Sequence, residues 1–257
     1  MSLEDEIPDV IAKAIMGLGL DAAALAEKSG IGAAHIAAIL RGDAEEASLR
    51  KIATALGLSE DALVGLPRYL PLKQEISGVR RLELPYRQWT VNAWLIGHGG
   101  TRLLFDVGFG ENDILTALCG ELPDAVFITH SHEDHIGGIA ALEAAGVRVI
   151  SEELALAETE FTFGEISLRT VDLSGHKSPT AGYILEGLGK RLLVAGDAIF
   201  AGSIGRCRST DAYELAFTNL RRVLSEAGSD CVILPGHGPA TTIAEELVSN
   251  PFHPRFR

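Results

Sequence analysis

The chain has 257 residues, 47% hydrophobic and 22% charged, which excludes a collagenous, coiled-coil or disordered protein and leaves room for one or two domains. Its net charge of −13 repels phosphate backbones unless a local basic patch intervenes. Only Cys119, Cys207 and Cys231 occur, too scattered for a disulfide framework; no run nears about 18 apolar residues, and the acidic start MSLEDEIPDV lacks a signal peptide's features, so a cytoplasmic protein with no membrane contact is expected.

Residues 7–66 read as short helices with no strand. Ile7, Val10, Ile11, Ala14 and Ile15 recur at helical spacing. Asp21 caps a second helix through Lys28, which Gly30 ends. Residues 33–41 form a third helix stopped by Gly42. Ser48 caps a fourth, carrying Leu49, Ile52, Ala53 and Leu56, and Ser59 opens a fifth with Glu60 and Asp61 where the helix dipole favours acids. Pro67 and Pro71 mark a linker, residues 67–73, between an all-α unit (1–66) and a larger domain (74–257).

From about residue 74 short apolar runs alternate with Gly-containing turns: VRRLELPY, TVNAWLIG, TRLLFDVG, AVFITH, VRVIS, ISLRTVDL, AGYILEG, KRLLVAGD and CVILPGHG. These read as strands, and helical patterns interrupt them near 112–119, 136–146, 211–227 and 241–248. The expectation is a mixed α/β domain.

The segment AVFITHSHEDHIGG places His130, His132, Asp134 and His135 within six residues. With 8 His and 13 Asp in the chain, HxHxDH arises by chance about four times in ten thousand, so the match is specific. A strand that delivers the chain to a sharp loop lets these imidazoles and carboxylates converge, and they suit Zn²⁺, Fe²⁺ or Mn²⁺. His176 in VDLSGH, Asp197 in LLVAGD and His237 in VILPGH each end an apolar run beside Gly and could complete a ligand set. His98, His35 and His253 lack that context and read as turn, helix-surface and tail residues.

THSHEDHIGG, the Gly-His at 175–176, GDAIF at 196–200 and PGHGPATT at 235–242 resemble the metallo-β-lactamase superfamily, over about residues 75–257 and in the right order. GDAIFAGSIGR and GHGPATTIAEELVSNPF are similar to its glyoxalase II-like branch, which includes persulfide dioxygenases. The resemblance implies an αββα sandwich and a pair of divalent transition-metal ions, zinc, with iron or manganese as alternatives. His130, His132 and His176 would hold the first ion, Asp134, His135 and His237 the second, with Asp197 bridging. Asp134 and Asp197 are then the catalytic carboxylates, and Asp106 in LLFDVG orients a ligand or its loop. Such a pair lowers the pKa of a bound water and holds a hydroxide against a carbonyl. The branch usually writes GHTPG where this chain has GHKSPTAGY, which brings Lys177 to the rim. Arg206, closing GSIGR, would meet an anionic substrate group, with Arg208 nearby. Classic glyoxalase II grips glutathione with a C-terminal helical extension; the resemblance stops near Phe252, so a weaker hold on glutathione is expected.

Residues 7–66 resemble a lambda-repressor-type helix-turn-helix domain, with Ala26, Gly30, Ile31, Ile36, Ile39 and Gly42 at its small and core positions. The recognition helix, however, offers Ala33, Ala34, His35, Ala37 and Ala38, which make no bidentate contact to a base. Residues 1–66 hold 5 basic and 11 acidic residues, net −6. DNA binding is therefore not expected; docking on the catalytic domain or a second subunit is. The function expected is hydrolysis of a small-molecule thioester or ester, as in hydroxyacylglutathione hydrolases. A mononuclear iron persulfide dioxygenase using His130, His176 and Asp197, a lactonase, and a ligand sensor regulating transcription stay open, as does a homodimer.

Overall fold

The computed structural model describes residues 2–256. Five helices open it: α1 (Ile7–Gly17), α2 (Ala22–Ser29), α3 (Ala33–Ile39), α4 (Glu46–Leu56) and α5 (Glu60–Gly65). Asp21 and Ser59 cap α2 and α5, accepting from the backbone N–H of Ala24 and Ala62, and Gly30 ends α2 in the left-handed conformation. Ser48 does not cap α4. The helix already begins at Glu46, whose carboxylate suits the helix N-terminus and accepts from Arg50 one turn on (3.0 Å), and Ser48 lies buried inside the first turn.

The first sheet is built from β1 (Val79–Tyr86), β2 (Trp89–His98), β3 (Thr101–Phe105), β4 (Ala125–Phe127) and β5 (Arg148–Ile150), in that spatial order. β1 to β3 pair antiparallel; β3, β4 and β5 run parallel, joined by α6 (Glu111–Leu118), α7 (Glu133–Ile136) and α8 (Ile139–Ala144). After α9 (Glu152–Glu158) come β6 (Glu160–Phe163), β7 (Ile166–Asp172), β8 (Ala181–Glu186) and β9 (Leu192–Gly196), then a hairpin of β10 (Ile199–Phe200) and β11 (Ser203–Ile204). α10 (Thr210–Ala227), β12 (Val232–Pro235), β13 (Thr241–Thr242) and α11 (Ile243–Ser249) complete the chain's main elements. The second sheet has the order β13-β12-β9-β8-β7-β6. Each of the nine apolar runs contains a strand, whereas β6, β10, β11, β13 and α9 fall outside the expected pattern.

Alternation along the strands divides the core into layers. Trp94, Ile96, Leu103, Phe105 and Phe127 from one sheet meet Leu168, Tyr183, Leu185, Val194 and Leu234 from the other. Ala93, Leu95, Leu104 and Val126 point the opposite way, onto Ile114 and Leu118 of α6 and Leu142 of α8. Ile184, Leu193 and Ile233 point outward from the second sheet onto Phe217, Leu220 and Val223 of α10. The result is an αββα sandwich. Phe127 lies among Phe105, Tyr183, Phe161 and Phe163, with ring centroids 5.2–5.9 Å away, so its truncation to alanine should cost about 3–5 kcal/mol.

The N-terminal helices share the outer layer of the second sheet rather than standing apart. Val10, Ile11, Ala14, Leu25, Ile36, Ile52 and Leu63 join the cluster that holds Tyr213 and Phe217. A Cβ at Gly17 would run into the Tyr213 ring, so this glycine permits the close approach of α1 to α10. The Ser59 N–H donates to the Pro251 carbonyl (2.8 Å), and the Tyr69 hydroxyl donates to Glu246 (2.7 Å).

Candidate metal centre

All seven candidate ligands gather at one edge of the sandwich, where the carboxyl ends of β4, β7, β9 and β12 meet. β4 delivers Ile128, Thr129 and His130; His132 precedes the short α7, which carries Asp134 and His135. His176 lies in the connection from β7 to β8, Asp197 directly follows β9, and His237 follows β12. The loop bearing His237 is pinned by β2. The Asn92 amide donates to the carbonyls of Pro235 and Gly238 (both 2.9 Å), and the Trp94 indole donates to Pro235 (2.9 Å). A side chain on Gly236 would strike Asp197 and His135, so glycine lets the loop close over the ligands.

The ligand atoms fall into two groups: His130, His132, His176 and Asp197, and Asp134, His135 and His237. In the first, His132 Nδ1 is 3.0 Å from His130 Nε2 and 3.1 Å from His176 Nε2. Asp197 sits between the groups. Its Oδ2 is 3.9 Å from His130 Nε2, 3.5 Å from His176 Nε2 and 3.6 Å from His237 Nε2, while Oδ1 is 3.4 Å from His135 Nε2. Asp134 Oδ2 lies 3.4 Å from His237 Nε2.

The opposite ring nitrogens are held by outer partners. Asp106 accepts from the Thr129 N–H, the Thr129 hydroxyl and His135 Nδ1, each at 2.8 Å. Since Thr129 gives its hydrogen to Asp106, His130 Nδ1–H donates to Thr129 Oγ1 (3.0 Å). His176 Nδ1–H donates to the Arg206 carbonyl (2.9 Å) and His237 Nδ1–H to the Thr90 carbonyl (2.8 Å). These bonds turn the Nε2 atoms of His130, His135, His176 and His237 inward, where each can become a ligand once free of a proton.

That inward face suits a cation. His132 Nδ1 carries at most one proton for the two lone pairs of His130 and His176. His135 Nε2 and Asp197 Oδ1 are buried and face each other at 3.4 Å without a well-formed hydrogen bond among the described residues, a spacing that leaves both atoms available to a metal ion. Burial lowers His130, His132 and His176 below the ordinary imidazole pKa, which keeps them neutral and ligand-ready. Burial also opposes charge at His237 and His135, but nearby carboxylates win: Asp197 and Asp134 raise His237 to about 9, and Asp106 and Asp197 raise His135 well above its usual value. Burial works against ionised Asp134 and Asp197 too, yet the His237 and His135 charges hold both carboxyls below the ordinary range. Nitrogen and carboxylate donors without thiolate match Zn²⁺, Fe²⁺ or Mn²⁺.

The remaining expected residues lie at the rim. Arg206 is exposed and reaches the centre through its backbone carbonyl; Lys177 is half-buried one residue beyond His176. Neither side chain makes an ion pair or hydrogen bond among the described residues. His98 pairs with Glu165 (3.1 Å), and His35 is exposed on α3. Thr129, which links Asp106 to His130, escaped the sequence reading, although a hydroxyl residue directly before the histidine cluster was a usable signal.

Residues 86–164 match the family model described as the Metallo-beta-lactamase superfamily. The chain is 27% identical over 206 residues to the probable metallo-hydrolase YqgX of Bacillus subtilis (strain 168), covering 66% of this chain and 95% of that one. It is 29% identical over 110 residues to the hydroxyacylglutathione hydrolase of Glaesserella parasuis serovar 5, covering 39% of this chain and 45% of that relative. The BLEG-1 B3 metallo-beta-lactamase structure superposes with a TM-score of 0.57 at 22% identity, over 68% of this chain and 99% of that one, a likeness of fold. Fold, ligand clusters and relatives together make this chain similar to metallo-β-lactamase superfamily hydrolases, with hydroxyacylglutathione hydrolases among its relatives.

Proposed function

We propose that the chain hydrolyses a small-molecule thioester at a pair of divalent metal ions, zinc before iron or manganese. The observation that carries this reading is the arrangement of two ligand groups that meet at Asp197, with His135 Nε2 and Asp197 Oδ1 buried between them. When bound, such a metal pair supplies Lewis acidity toward a carbonyl oxygen and a water acidified to near neutral pH. Thr129 and Asp106 fix the rings of His130 and His135, and the Arg206 and Thr90 carbonyls fix those of His176 and His237. Asp134 and Asp197 stay ionised, so they act as anionic ligands and not as acids. A leaving group that departs without a proton suits such a centre. A thiolate, with a parent pKa of about 8.5, does so; an amide nitrogen does not. The hydroxyacylglutathione hydrolase relative supports the same substrate class.

Arg206 and Lys177 flank His176 and are proposed to hold an anionic group of the substrate. The full second ligand group favours this reading over a mononuclear dioxygenase. The N-terminal helices are proposed not to read DNA. Ala33, Ala34, His35 and Ala37 are the exposed residues of α3, and Arg50 is held by Glu46 and Asp61.

The test is thiol release from a hydroxyacylglutathione thioester by metal-loaded protein. Release that stops with a chelator and returns with added metal supports the proposal. A fully loaded protein that releases no thiol, but consumes oxygen with a persulfide, rejects it.

A further inference from the structure

Lys13 is a buried cation for which the metal chemistry has no use. It lies on the inner face of α1, three residues after Val10 and four before Gly17, and is 6% exposed. An ammonium in such a place is costly unless paired and hydrogen-bonded. Its partner is the buried carboxylate of Asp5, which also accepts from the Ser203 hydroxyl. Lys13 Nζ donates as well to the Ile204 carbonyl (2.8 Å) and lies 5.0 Å from the centre of the Phe200 ring. Ser203, Ile204 and Phe200 all belong to the β10–β11 hairpin, so α1 grips that hairpin through charge.

The hairpin occupies the stretch between Asp197 and Arg206. Gly205 directly follows Ile204, and a Cβ there would run into the Asp197 carbonyl and lie 2.8 Å from His176 Cβ. The next residue, Arg206, supplies the carbonyl that accepts from His176 Nδ1 (2.9 Å). Toward the other ligand group, the Phe200 ring stands edge-on to His237, with centroids 5.9 Å apart. From α11, Glu246 accepts the Gly202 N–H (2.9 Å) and Asn250 donates to the Ser203 carbonyl (2.9 Å).

We infer that the Asp5–Lys13 pair is a positioning element of the metal centre: by fixing the hairpin it fixes the Arg206 carbonyl, and so the direction of the His176 lone pair. The N-terminal helical unit is then part of the machinery that shapes the site. Fold stability alone is a poor reason for the pair, because buried ion pairs are often replaced by apolar residues at no loss of stability. An apolar pair cannot reproduce the bonds to Ile204 and Ser203. The inference rests on the reading that His176 binds metal.

The experiment uses the full chain and the double variant K13M/D5N, which leaves no unpaired buried charge and keeps an acceptor for Ser203. Apo-protein is titrated with zinc against a chromophoric chelator, and cobalt-loaded protein is examined by visible absorption. Affinity for the ion of the His130, His132 and His176 group should fall about 10- to 100-fold, the usual effect of losing an outer partner. The cobalt bands should shift while the thermal midpoint stays within a few degrees, and K13R should restore most of the affinity. A folded K13M/D5N with wild-type affinity and an unchanged cobalt spectrum overturns the inference. Should the double variant not fold, S203A carries the same test, since it removes one hydroxyl and no charge; an affinity drop supports the inference and no change overturns it. Wild-type protein that takes up no metal overturns the metal reading itself, which separates the two failures.

Discussion

Replacing Asp106 by asparagine isolates the role of the hydrogen bonds behind the ligands. The carboxylate accepts three bonds at 2.8 Å: from the Thr129 N–H on Oδ1, and from the Thr129 hydroxyl and His135 Nδ1 on Oδ2. An amide has one acceptor atom and one donor group. If its nitrogen takes the Oδ1 position, it opposes the Thr129 N–H and a backbone donor is orphaned. If it takes the Oδ2 position, His135 must move its proton to Nε2, which removes the lone pair meant for the metal. Either way at least one hydrogen bond to a buried carboxylate is lost, worth about 1.5–3 kcal/mol, or roughly one to two powers of ten. Outer-partner substitutions at metal sites cost a similar 10- to 100-fold in affinity. The assay is chelator-competition titration of apo D106N with zinc, alongside a thermal melt. Zinc affinity within about twofold of wild type for both ions would refute the claim that Asp106 sets the His135 tautomer.

Asp197→Ala removes the carboxylate that lies between both groups, so the turnover rate should fall by about three orders of magnitude or more and metal content should drop; near-normal turnover would exclude a bridging role. Arg206→Ala should weaken substrate binding by about 1.5–3 kcal/mol if the bound substrate buries a charge-assisted bond to the guanidinium, seen as a raised KM; unchanged kinetics remove that role. Metal uptake should depend on pH in a site-specific way. His237, raised to about 9, and His135, raised well above its usual value, are both protonated near neutral pH and must each release a proton to bind, so affinity at their group should rise by up to about a hundredfold per pH unit from about pH 6 to 8. The His130, His132 and His176 group, lowered by burial, should vary less over that range, and calorimetric titrations showing equal pH dependence for both ions would contradict this. Finally, the protein should bind random duplex DNA no tighter than about 10 μM near physiological salt, since non-specific binders lie at roughly 10⁻⁴–10⁻⁶ M; a fluorescence-anisotropy titration checks it.

The sequence was most legible where a local pattern and its chemistry coincide. THSHEDH announced a convergent loop, and Gly beside His176, Asp197 and His237 marked strand ends that the structure brings to one edge. Long strands such as β2 and β8 carried enough apolar residues to be read outright. The two-residue strands β10 and β11 are too short to show a period. Ser48 misled because a good capping residue competed with Glu46, which the Arg50 tether and helix dipole favour at the helix start. Contacts between distant residues left weaker traces. Lys13 meets Ile204 across 191 positions, and the only local sign was a lysine set among Val10, Ala14 and Gly17 on an apolar helix face.

The most direct measurement is the metal-to-protein ratio, by plasma mass spectrometry, of protein purified without added metal and again after reloading. A dinuclear hydrolase centre built from His130, His132, Asp134, His135, His176, Asp197 and His237 predicts close to two divalent ions per chain after reloading, with thiol release tracking the metal content. A folded protein that never exceeds one ion per chain, or that binds none, would contradict it.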